Sequence, residues 1–337
     1  MSRGARRRQR QQPRTLQVFL IIVLVLLTVC VLVKAFFLKA PEQKAAELPA
    51  KPASSDTDSQ QSPEEQAAQE ALRSHLERKG GFYTILLSGL DDDNGGSDTN
   101  ILVAVDTVNG YVYGVSIPRD SKAIIGGKAH KINYAYNKGG TELLADTVSE
   151  QLGIPVDYTV SVNLKGFTAL VDAIGGVDFD VPINMDYDDP IQNLSIHFKK
   201  GVQHLSGADA LRVVRFRHNN DGSGYGSEDL GRMATQQKFL KAVAKKMLSA
   251  GNILTKIDDY AKIFNQYVDT NLTVGNLAWL GTEVLKMGVD KIDFSTLPNA
   301  WKYPYIYLDP TETLTLVNTY LNPYVEDRTA DDLNIPG

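Results

Sequence analysis

The feature of this sequence that most constrains its fold is an apolar segment close to the amino terminus. Residues Leu16 to Leu38 read LQVFLIIVLVLLTVCVLVKAFFL, and Lys34 is their only charge. A helix needs roughly 20 apolar residues to cross a bilayer, and a lysine near the helix end can extend its ammonium group to the interface. The apolar core of a cleaved signal peptide is usually shorter. The sequence therefore predicts an uncleaved transmembrane anchor over residues 16–38.

Charge is distributed unevenly on the two sides of this segment. The first fourteen residues contain no acid and carry six arginines, Arg3, Arg6, Arg7, Arg8, Arg10 and Arg14. The net charge of the whole chain is -5, so removing those six positive charges leaves -11 on the rest. The positive-inside rule then predicts a cytoplasmic basic tail over residues 1–15 and a single-pass type II protein of the cell membrane, with its main domain outside. The acidic body argues against a nucleic acid partner, which usually requires a basic surface.

Composition divides the rest of the chain into a spacer, one large domain and a tail. Residues 39–62 combine proline, alanine, serine and glutamine, as linkers do, and Ser62-Pro63-Glu64-Glu65 is a capping box that opens a polar helix. We therefore expect a linker and stalk helix over residues 39–80, an extracellular domain over residues 81–325 and a carboxyl-terminal tail over residues 326–337. The single cysteine, Cys30, excludes a disulfide framework and a cysteine-based metal cluster.

Strand and helix patterns alternate along the predicted domain. Apolar, β-branched runs predict strands at residues 82–90, 100–106, 111–117, 158–162, 177–181 and 291–297. Helical periodicity predicts helices at residues 141–152, 165–174, 227–248, 253–267, 274–287 and 312–321. Asn109-Gly110 predicts a hairpin between the second and third strands. The alternation indicates an α/β fold, with a layered sheet that carries helices on its faces.

Acidic residues lie where the first predicted strand ends and the second begins. Asp91 follows Gly89-Leu90, and Asp98 opens the segment Ser97-Asp98-Thr99. If the two strands are neighbours, both carboxylates come to one point, as Mg²⁺ requires when it binds one or two carboxylates and the oxygens of a phosphate. An ordinary acidic loop is the alternative interpretation, since Asp92, Asp93 and Gly95-Gly96 are common turn residues.

Basic residues interrupt apolar segments at three further places. Arg119-Asp120 follows the third strand, where the alternative is a turn with a surface ion pair. Arg215 and Arg217 alternate with apolar residues in Val213–His218, so an extended backbone would point both to one side, although this pattern also fits an exposed strand face. Arg232 and Gln236 are four residues apart on one helical face. Paired guanidinium groups match the geometry of phosphate oxygens, so a pyrophosphate is the predicted target.

Taken together, seven segments resemble the LytR-CpsA-Psr (LCP) family of cell-envelope phosphotransferases. They are ILLSGLD, SDTNILVAVD, VSIPRDS, KINYAYNKGG, LVDAIGGVDFDVP, HLSGADALRVVRFRH and GRMATQQ, between about Thr84 and Phe239. The resemblance implies an α-β-α layered domain with a mixed central sheet, preceded by one transmembrane helix. It also implies that the domain binds a glycan linked to polyprenyl pyrophosphate. The glycopolymer, such as a teichoic acid or a capsule, would be transferred to peptidoglycan through a phosphodiester bond.

The resemblance also assigns roles to individual residues. Mg²⁺, with Mn²⁺ as an alternative, is expected at Asp91 and Asp98, and the catalytic set is Asp98, Arg119 and Asp120. The pyrophosphate-binding set is Arg119, Lys131, Arg215, Arg217, Arg232 and Gln236.

Other functions and roles remain open at this point. Asp98 and Asp120 are both candidate general bases, while His218 receives no role in proton transfer. A polyprenyl-pyrophosphate hydrolase would use the same site, with water as acceptor. A non-catalytic lipid-binding or regulatory envelope protein is the alternative outside enzymes.

Overall fold

A computed structural model describes residues 38–44, 76–90, 96–191, 194–226, 228–247 and 257–337 of the chain. The predicted cytoplasmic tail, the anchor up to residue 37 and most of the predicted spacer lie outside these residues, as does Asp91. Within the described ranges, no helix combines the length and the apolar character needed to cross a membrane.

A mixed six-stranded sheet forms the centre of the domain, in the order β11-β6-β1-β2-β3-β12. Strands β1, β2 and β3 are antiparallel neighbours, whereas β6 runs parallel to β1 and β12 runs parallel to β3. The strands are β1 (Phe82–Leu90), β2 (Ser97–Asp106), β3 (Tyr111–Ile117), β4 (Lys122–Ile125), β5 (Lys128–Lys131), β6 (Tyr158–Asn163), β7 (Val177–Val181), β8 (Met185–Asp189), β9 (Leu194–Phe198), β10 (Gly201–Leu205), β11 (Val268–Thr270), β12 (Ile292–Thr296), β13 (Asn299–Lys302) and β14 (Tyr305–Leu308).

Four two-stranded ribbons surround the central sheet in the described part of the chain. They pair β4 with β5, β7 with β10, β8 with β9, and β13 with β14. The run Val177–Val181 forms a strand with the predicted bounds, but it pairs with β10 outside the central sheet. The predicted hairpin between β2 and β3 also forms, with Asp106 opposite Tyr111 and Gly110 at φ 73°.

Seven α-helices lie among the described residues. They are α1 (Asn133–Leu152), α2 (Leu164–Ala173), α3 (Gly207–Arg215), α4 (Glu228–Met247), α5 (Ile257–Tyr267), α6 (Val274–Met287) and α7 (Pro310–Leu316). Helix α1 begins earlier than predicted and is kinked at Gly139 and Gly140, just before Thr141, the first residue of the predicted helix. It ends at Leu152, and Gly153 caps it with a left-handed φ of 63°.

The two faces of the central sheet follow from the alternation of side chains along each strand. Leu86, Leu102 and Val115 point to one face and are buried against helix α1, whose Leu144 and Val148 are also fully buried. The other face carries a second group of buried apolar side chains, which packs against α6 and lies below a layer formed by α2, α3 and α4. These side chains are Tyr83, Ile85, Ile101, Val103 and Val105. Helices on both faces of a mixed sheet match the predicted α/β class.

Parts of the predicted spacer and tail are packed on the domain. Gln43 Nε2 donates to Lys79 O at 2.8 Å and to Phe82 O at 2.7 Å. Arg78 Nη2 lies 2.7 Å from Oδ2 of the fully buried Asp157, so this end of the predicted spacer is bound to the domain. In the predicted tail, Asn334 Nδ2 donates to Glu150 Oε1 at 2.8 Å on helix α1.

Candidate active site

The second face of the sheet is not fully covered, and a cavity of about 570 Å³ remains beneath the helical layer. Most of its wall is apolar and comes from β1, β6 and helices α2, α3 and α4. The apolar lining includes Leu87, Val160, Val162, Phe167, Leu170, Leu211, Val214, Phe216, Phe239 and Leu240. Tyr187 and Leu194 of the β8–β9 hairpin complete it. A volume of this size is typical of a small-molecule site.

Charged residues form a second part of the cavity wall. The lining contains four guanidinium groups, Arg119, Arg215, Arg217 and Arg232, and one carboxylate, Asp98. The wall is therefore positively charged in a chain whose net charge is -5. Low-dielectric apolar walls strengthen the field of such a cluster. The cavity thus suits a ligand with one apolar part and one strongly anionic part.

The register of strands β2 and β3 brings Asp98 and Arg119 together. Asn100 lies opposite Ile117 in this antiparallel pair, so Asp98, two residues before Asn100 in β2, lies opposite the segment that leaves β3, where Arg119 follows two residues after Ile117. Arg119 Nη1 donates to Asp98 Oδ1 at 2.6 Å. The Asp98 side chain is 40% exposed and that of Arg119 is 27% exposed, so both remain accessible from the cavity.

Asp120 lies on the other side of Arg119 and is held by a lysine. Asp120 Oδ1 is 3.8 Å from Arg119 Nε and 3.1 Å from Lys131 Nζ, at the end of β5. Neither Asp120 nor Lys131 is among the described residues that line the cavity. The structure therefore places Lys131 on Asp120 and does not bring it to the predicted phosphate-binding group, while Asp120 is well placed to orient Arg119.

The sequence predicts an extended backbone over Val213–His218, and this prediction is wrong for residues 213–215, which are helical. Helix α3 continues to Arg215, and Ser206 Oγ caps its first turn by accepting from Asp209 N at 3.2 Å. Ala210 and Val213 are buried on one helical side, so the 3.6-residue period prevails over the local alternation. Arg215 and Arg217 nevertheless both line the cavity.

The conformation of Phe216 explains why Arg215 and Arg217, which flank it in the chain, both line the cavity. Its backbone is extended, at φ -61° and ψ 134°, and its side chain is buried. The ring packs edge-on against Tyr225 at 5.6 Å, and burial raises the pKa of Tyr225. The anchored phenylalanine thus fixes the chain that leads from helix α3 to Arg217.

Helix α4 contributes Arg232 and Gln236, four residues apart as the sequence predicts, and both line the cavity. Gln236 Nε2 donates to Val214 O at 3.1 Å and so connects α4 with α3. Gln237 instead donates to Ser116 Oγ at 2.8 Å and to Ser295 O at 2.8 Å, which fixes α4 to strands β3 and β12.

Polar residues within strands β1 and β2 escaped the sequence-based site prediction. Ser88 lines the main cavity, and Asn100 lines a smaller extension that also borders Asp98 and Arg119. Oγ of Ser88 and Oδ1 of Asn100 are buried and have no hydrogen-bond partner among the described residues. A polar side chain inside an otherwise apolar strand was the signal that could have identified them.

Of the two carboxylates that the resemblance assigns to Mg²⁺ or Mn²⁺, Asp98 is the one that lies within the described residues. Mg²⁺ needs only one or two carboxylates when waters and substrate phosphates supply the other ligands. Asp98 offers one carboxylate on the cavity wall, and Asn100, whose buried Oδ1 has no hydrogen-bond partner among the described residues, lines the same small pocket. Among the residues with described positions, no group of three or more His, Cys, Asp or Glu side chains is placed to hold a metal ion.

Comparisons with known proteins bear on the family and the fold. Residues 48–321 match the LytR_cpsA_psr family. The polyisoprenyl-teichoic acid–peptidoglycan teichoic acid transferase TagV of Bacillus subtilis (strain 168) is 37% identical over 202 residues, which are 57% of this chain and 50% of that relative. The chain thus spans half the length of this curated relative.

Solved structures give the same result for the fold. The crystal structure of B. subtilis TagV has a TM-score of 0.60 and 32% identity, over 72% of this chain and 96% of that one. A structure of TagT bound to LI-WTA has a TM-score of 0.56 and 25% identity, over 70% of this chain and 88% of that one. The mixed central sheet with its helical layers is therefore shared with solved structures.

Proposed function

The chain belongs to the LytR_cpsA_psr family, and from this we propose that it transfers a glycopolymer from a polyprenyl-pyrophosphate-linked donor to a sugar hydroxyl of peptidoglycan. The observation that carries the proposal is the apolar cavity whose wall also contains four arginines. The names of the curated relatives TagV and TagU, which describe teichoic acid transferases, support the same reaction class.

The apolar wall is the part that binds the lipid. Leu87, Val160, Leu170 and Leu240 expose hydrocarbon to the cavity, where burial of a prenyl chain gains about 25 cal/mol per Å² of apolar surface. The volume of about 570 Å³ accommodates part of a long prenyl chain next to the arginines. The pyrophosphate of the same lipid then lies against the guanidinium groups.

The arginines bind and neutralise the pyrophosphate. Arg215, Arg217 and Arg232 offer planar donor pairs that match phosphate oxygens. Arg119 is oriented by Asp98 at 2.6 Å and by Asp120 at 3.8 Å, so its guanidinium is fixed before the substrate arrives. Mg²⁺, or Mn²⁺, would be held by Asp91 and Asp98 and would add positive charge at the pyrophosphate. Phosphoryl transfer depends mainly on such positioning and charge stabilisation.

The reaction exchanges one bond at phosphorus for another. The acceptor hydroxyl oxygen forms a bond with the phosphorus that carries the glycan, and the bond from this phosphorus to the bridging oxygen breaks. Polyprenyl phosphate leaves with the bonding electrons, and Arg119 stabilises the developing negative charge. We assign the acceptor's proton to Oδ2 of Asp120, because Lys131 holds Oδ1 of the same carboxylate at 3.1 Å.

This function requires the domain to lie at the outer surface of the cell membrane, where peptidoglycan and the lipid-linked donor meet. The proposed topology is a single-pass type II protein, with the basic residues 1–15 in the cytoplasm and residues 16–38 as the anchor.

Substitutions at the proposed site test the function directly. With the full chain in detergent, a lipid-linked donor and peptidoglycan, we expect Asp98→Ala and Arg119→Ala each to lower turnover by about a hundredfold, the effect of one lost preorganised group. Arg217→Lys should also be slow, since an ammonium group lacks the paired donors of a guanidinium. Arg212→Ala is the matched control, because Arg212 lies on α3 outside the cavity and is paired with Asp209 at 2.9 Å. All four variants should keep the wild-type melting temperature within a few degrees.

Two further measurements separate the competing reactions. A mass spectrum of lipid retained by the purified chain should contain polyprenyl phosphate or pyrophosphate. Turnover that persists in EDTA and in Asp98→Ala would contradict the metal-assisted mechanism, and release of free glycan phosphate without linkage to peptidoglycan would identify a hydrolase.

A further inference from the structure

Two hairpins beside Asp120 are rich in lysine and contain no acidic residue. Residues 121–132 carry Lys122, Lys128 and Lys131, residues 298–307 carry Lys302, and neither segment has an Asp or Glu. The β4–β5 and β13–β14 hairpins that these segments form therefore carry net positive charge, although the net charge of the chain is -5.

The two hairpins join next to Asp120. Ile306 N donates to Asp120 O at 2.9 Å, and Ser121 pairs with Ile306 in a parallel bridge. Tyr305 OH donates to Ala129 O at 3.2 Å, which connects β14 with β5. The backbone at Asp120 therefore lies within a small sheet made of both hairpins, and one surface of that sheet begins at the catalytic carboxylate.

This surface consists of tyrosine rings and lysine ammonium groups. Lys122 Nζ lies 5.0 Å and Lys302 Nζ lies 5.8 Å from the centroid of the Tyr307 ring. Tyr305 and Tyr307 meet edge to face at 6.3 Å, and Tyr303 in the turn is 85% exposed. We call these residues, Lys122, Lys131, Lys302, Tyr303, Tyr305 and Tyr307, the lysine-tyrosine face. Lys122 also donates to Gly337 O, and Lys131 pairs with Asp120 Oδ1, so the exposed Lys302 is the main cation of this face for a ligand.

We propose that the lysine-tyrosine face docks the peptidoglycan acceptor; this inference rests on the proposed function. Peptidoglycan combines sugar rings, whose C–H faces pack on tyrosine rings, with peptide carboxylates, which pair with lysine. Tyrosine suits such a surface because its ring is apolar and its hydroxyl is polar. Exposed aromatic groups that lie together indicate an interaction site far more than scattered ones do.

The chemistry of the reaction favours the acceptor over the donor polymer as the occupant. In an in-line displacement the attacking and leaving oxygens lie on opposite sides of phosphorus. The leaving polyprenyl phosphate is held by the cavity, so the acceptor approaches from the side of Arg119 that faces away from the cavity. Asp120 and Lys131 lie outside the cavity lining, and the lysine-tyrosine face continues from them.

Variants of exposed residues test the inference without touching the cavity. We expect Tyr303→Ser combined with Lys302→Glu to weaken co-sedimentation of the full chain with teichoic-acid-free peptidoglycan about tenfold, as loss of an interface anchor does. The KM for the acceptor should rise by a similar factor, while kcat and the retained lipid stay unchanged. Tyr303→Phe should keep wild-type binding, because it preserves the ring.

Two controls separate the face from general surface effects. Trp301→Ala removes an aromatic residue that is 60% exposed on the same hairpin, but Trp301 pairs with the buried Ile306 and so points to the opposite side from Lys302. Lys199→Glu makes the same charge change as Lys302→Glu at an exposed position outside the face. Both should bind peptidoglycan like the wild type.

The outcomes test the docking surface and the proposed transferase function separately. Unchanged binding and KM in the double variant would overturn the docking inference and leave the proposed function intact. A loss of binding to soluble teichoic acid but not to stripped peptidoglycan would also overturn it, because the donor polymer would then be the occupant. Wild-type protein that binds peptidoglycan through this face without transferring glycan would refute the proposed function while supporting the docking surface.

Discussion

The two faces of the central sheet carry equally apolar side chains but are covered in different ways. On one face Leu86, Leu102 and Val115 are fully buried against helix α1, and we call this the closed face. On the other, the open face, Leu87 and Val160 border a cavity of about 570 Å³. Apolarity of a strand therefore does not reveal whether its face is packed or holds a ligand.

The covering layer accounts for the difference. Helix α1 directs Leu144, Val148 and Leu152 to the sheet at four-residue intervals, so it fills the closed face. On the open face, α2, α3 and α4 form a core of their own with the β7–β10 ribbon and the β8–β9 hairpin, in which Val171, Phe179 and Phe239 are buried. The remaining apolar groups of these helices border the space above the sheet without filling it.

Neighbouring leucines on strand β1 provide the sharpest test of this comparison. Leu86 faces α1 and is fully buried, whereas Leu87 lines the cavity. We expect Leu86→Ala to lower the free energy of unfolding by about 2–5 kcal/mol, because it leaves a new void in a packed core. Leu87→Ala should cost well under half as much, because part of its surface already faces empty space. Chemical denaturation of both variants measures the difference, and equal losses would contradict the distinction between the faces.

Enlarging a valine on each face should produce opposite results. Val115→Phe should destabilise the protein by about 1–3 kcal/mol, since the closed face has no room for additional atoms. Val160→Phe places the same ring in the cavity and should change stability by less than 1 kcal/mol. It should also reduce the polyprenyl lipid recovered with the purified chain. Thermal melts and lipid mass spectra test both, and wild-type lipid retention in Val160→Phe would show that the lipid binds elsewhere.

The fold could be predicted from sequence where each element has a strong pattern of its own. Strand β1, strand β3 and helix α6 have the predicted bounds, because their apolar periods are long and end at turn or cap residues. The β4–β5 hairpin was missed because its second strand, Lys128–Lys131, reads KAHK and forms only through its partner. The end of helix α3 was predicted as extended backbone because Arg215 and Arg217 alternate with apolar residues over Val213–His218, whereas the helix continues to Arg215.

The sequence was sufficient to predict which residues form the site, but it predicted only some of the contacts between them. The motifs identified Asp98, Arg119, Arg215, Arg217, Arg232 and Gln236, all of which line one cavity. The sequence could not show that Lys131 contacts Asp120, because that contact depends on how the β4–β5 hairpin folds back. Nor could it show the cavity, which arises from packing between layers and has no local pattern.

The smallest expected effect concerns the β8–β9 hairpin at the edge of the open face. His197 Nδ1 lies 2.7 Å from Asp186 Oδ1, and its Nε2 lies 3.2 Å from Asp188 Oδ1. The hydrogen bond with Asp186, followed by the charge of Asp188, raises the pKa of His197 above its ordinary value of 6.5. Because the folded pKa is the higher one, the associated stability is fully present below pH 6.5 and is lost as pH rises through the folded pKa.

This effect should be detectable at His197 and nearly absent from overall stability, because all three side chains are exposed and screened by salt. An NMR titration of the imidazole protons should give a pKa above 6.5 in the wild type and a value near 6.5 in Asp186→Asn combined with Asp188→Asn. Added salt should reduce the wild-type shift. Identical titration curves in the two proteins would show that the hairpin does not hold His197 between these carboxylates. The closed face, whose contacts are apolar, should show no change in hydrogen exchange protection over the same pH range once exchange is corrected for pH.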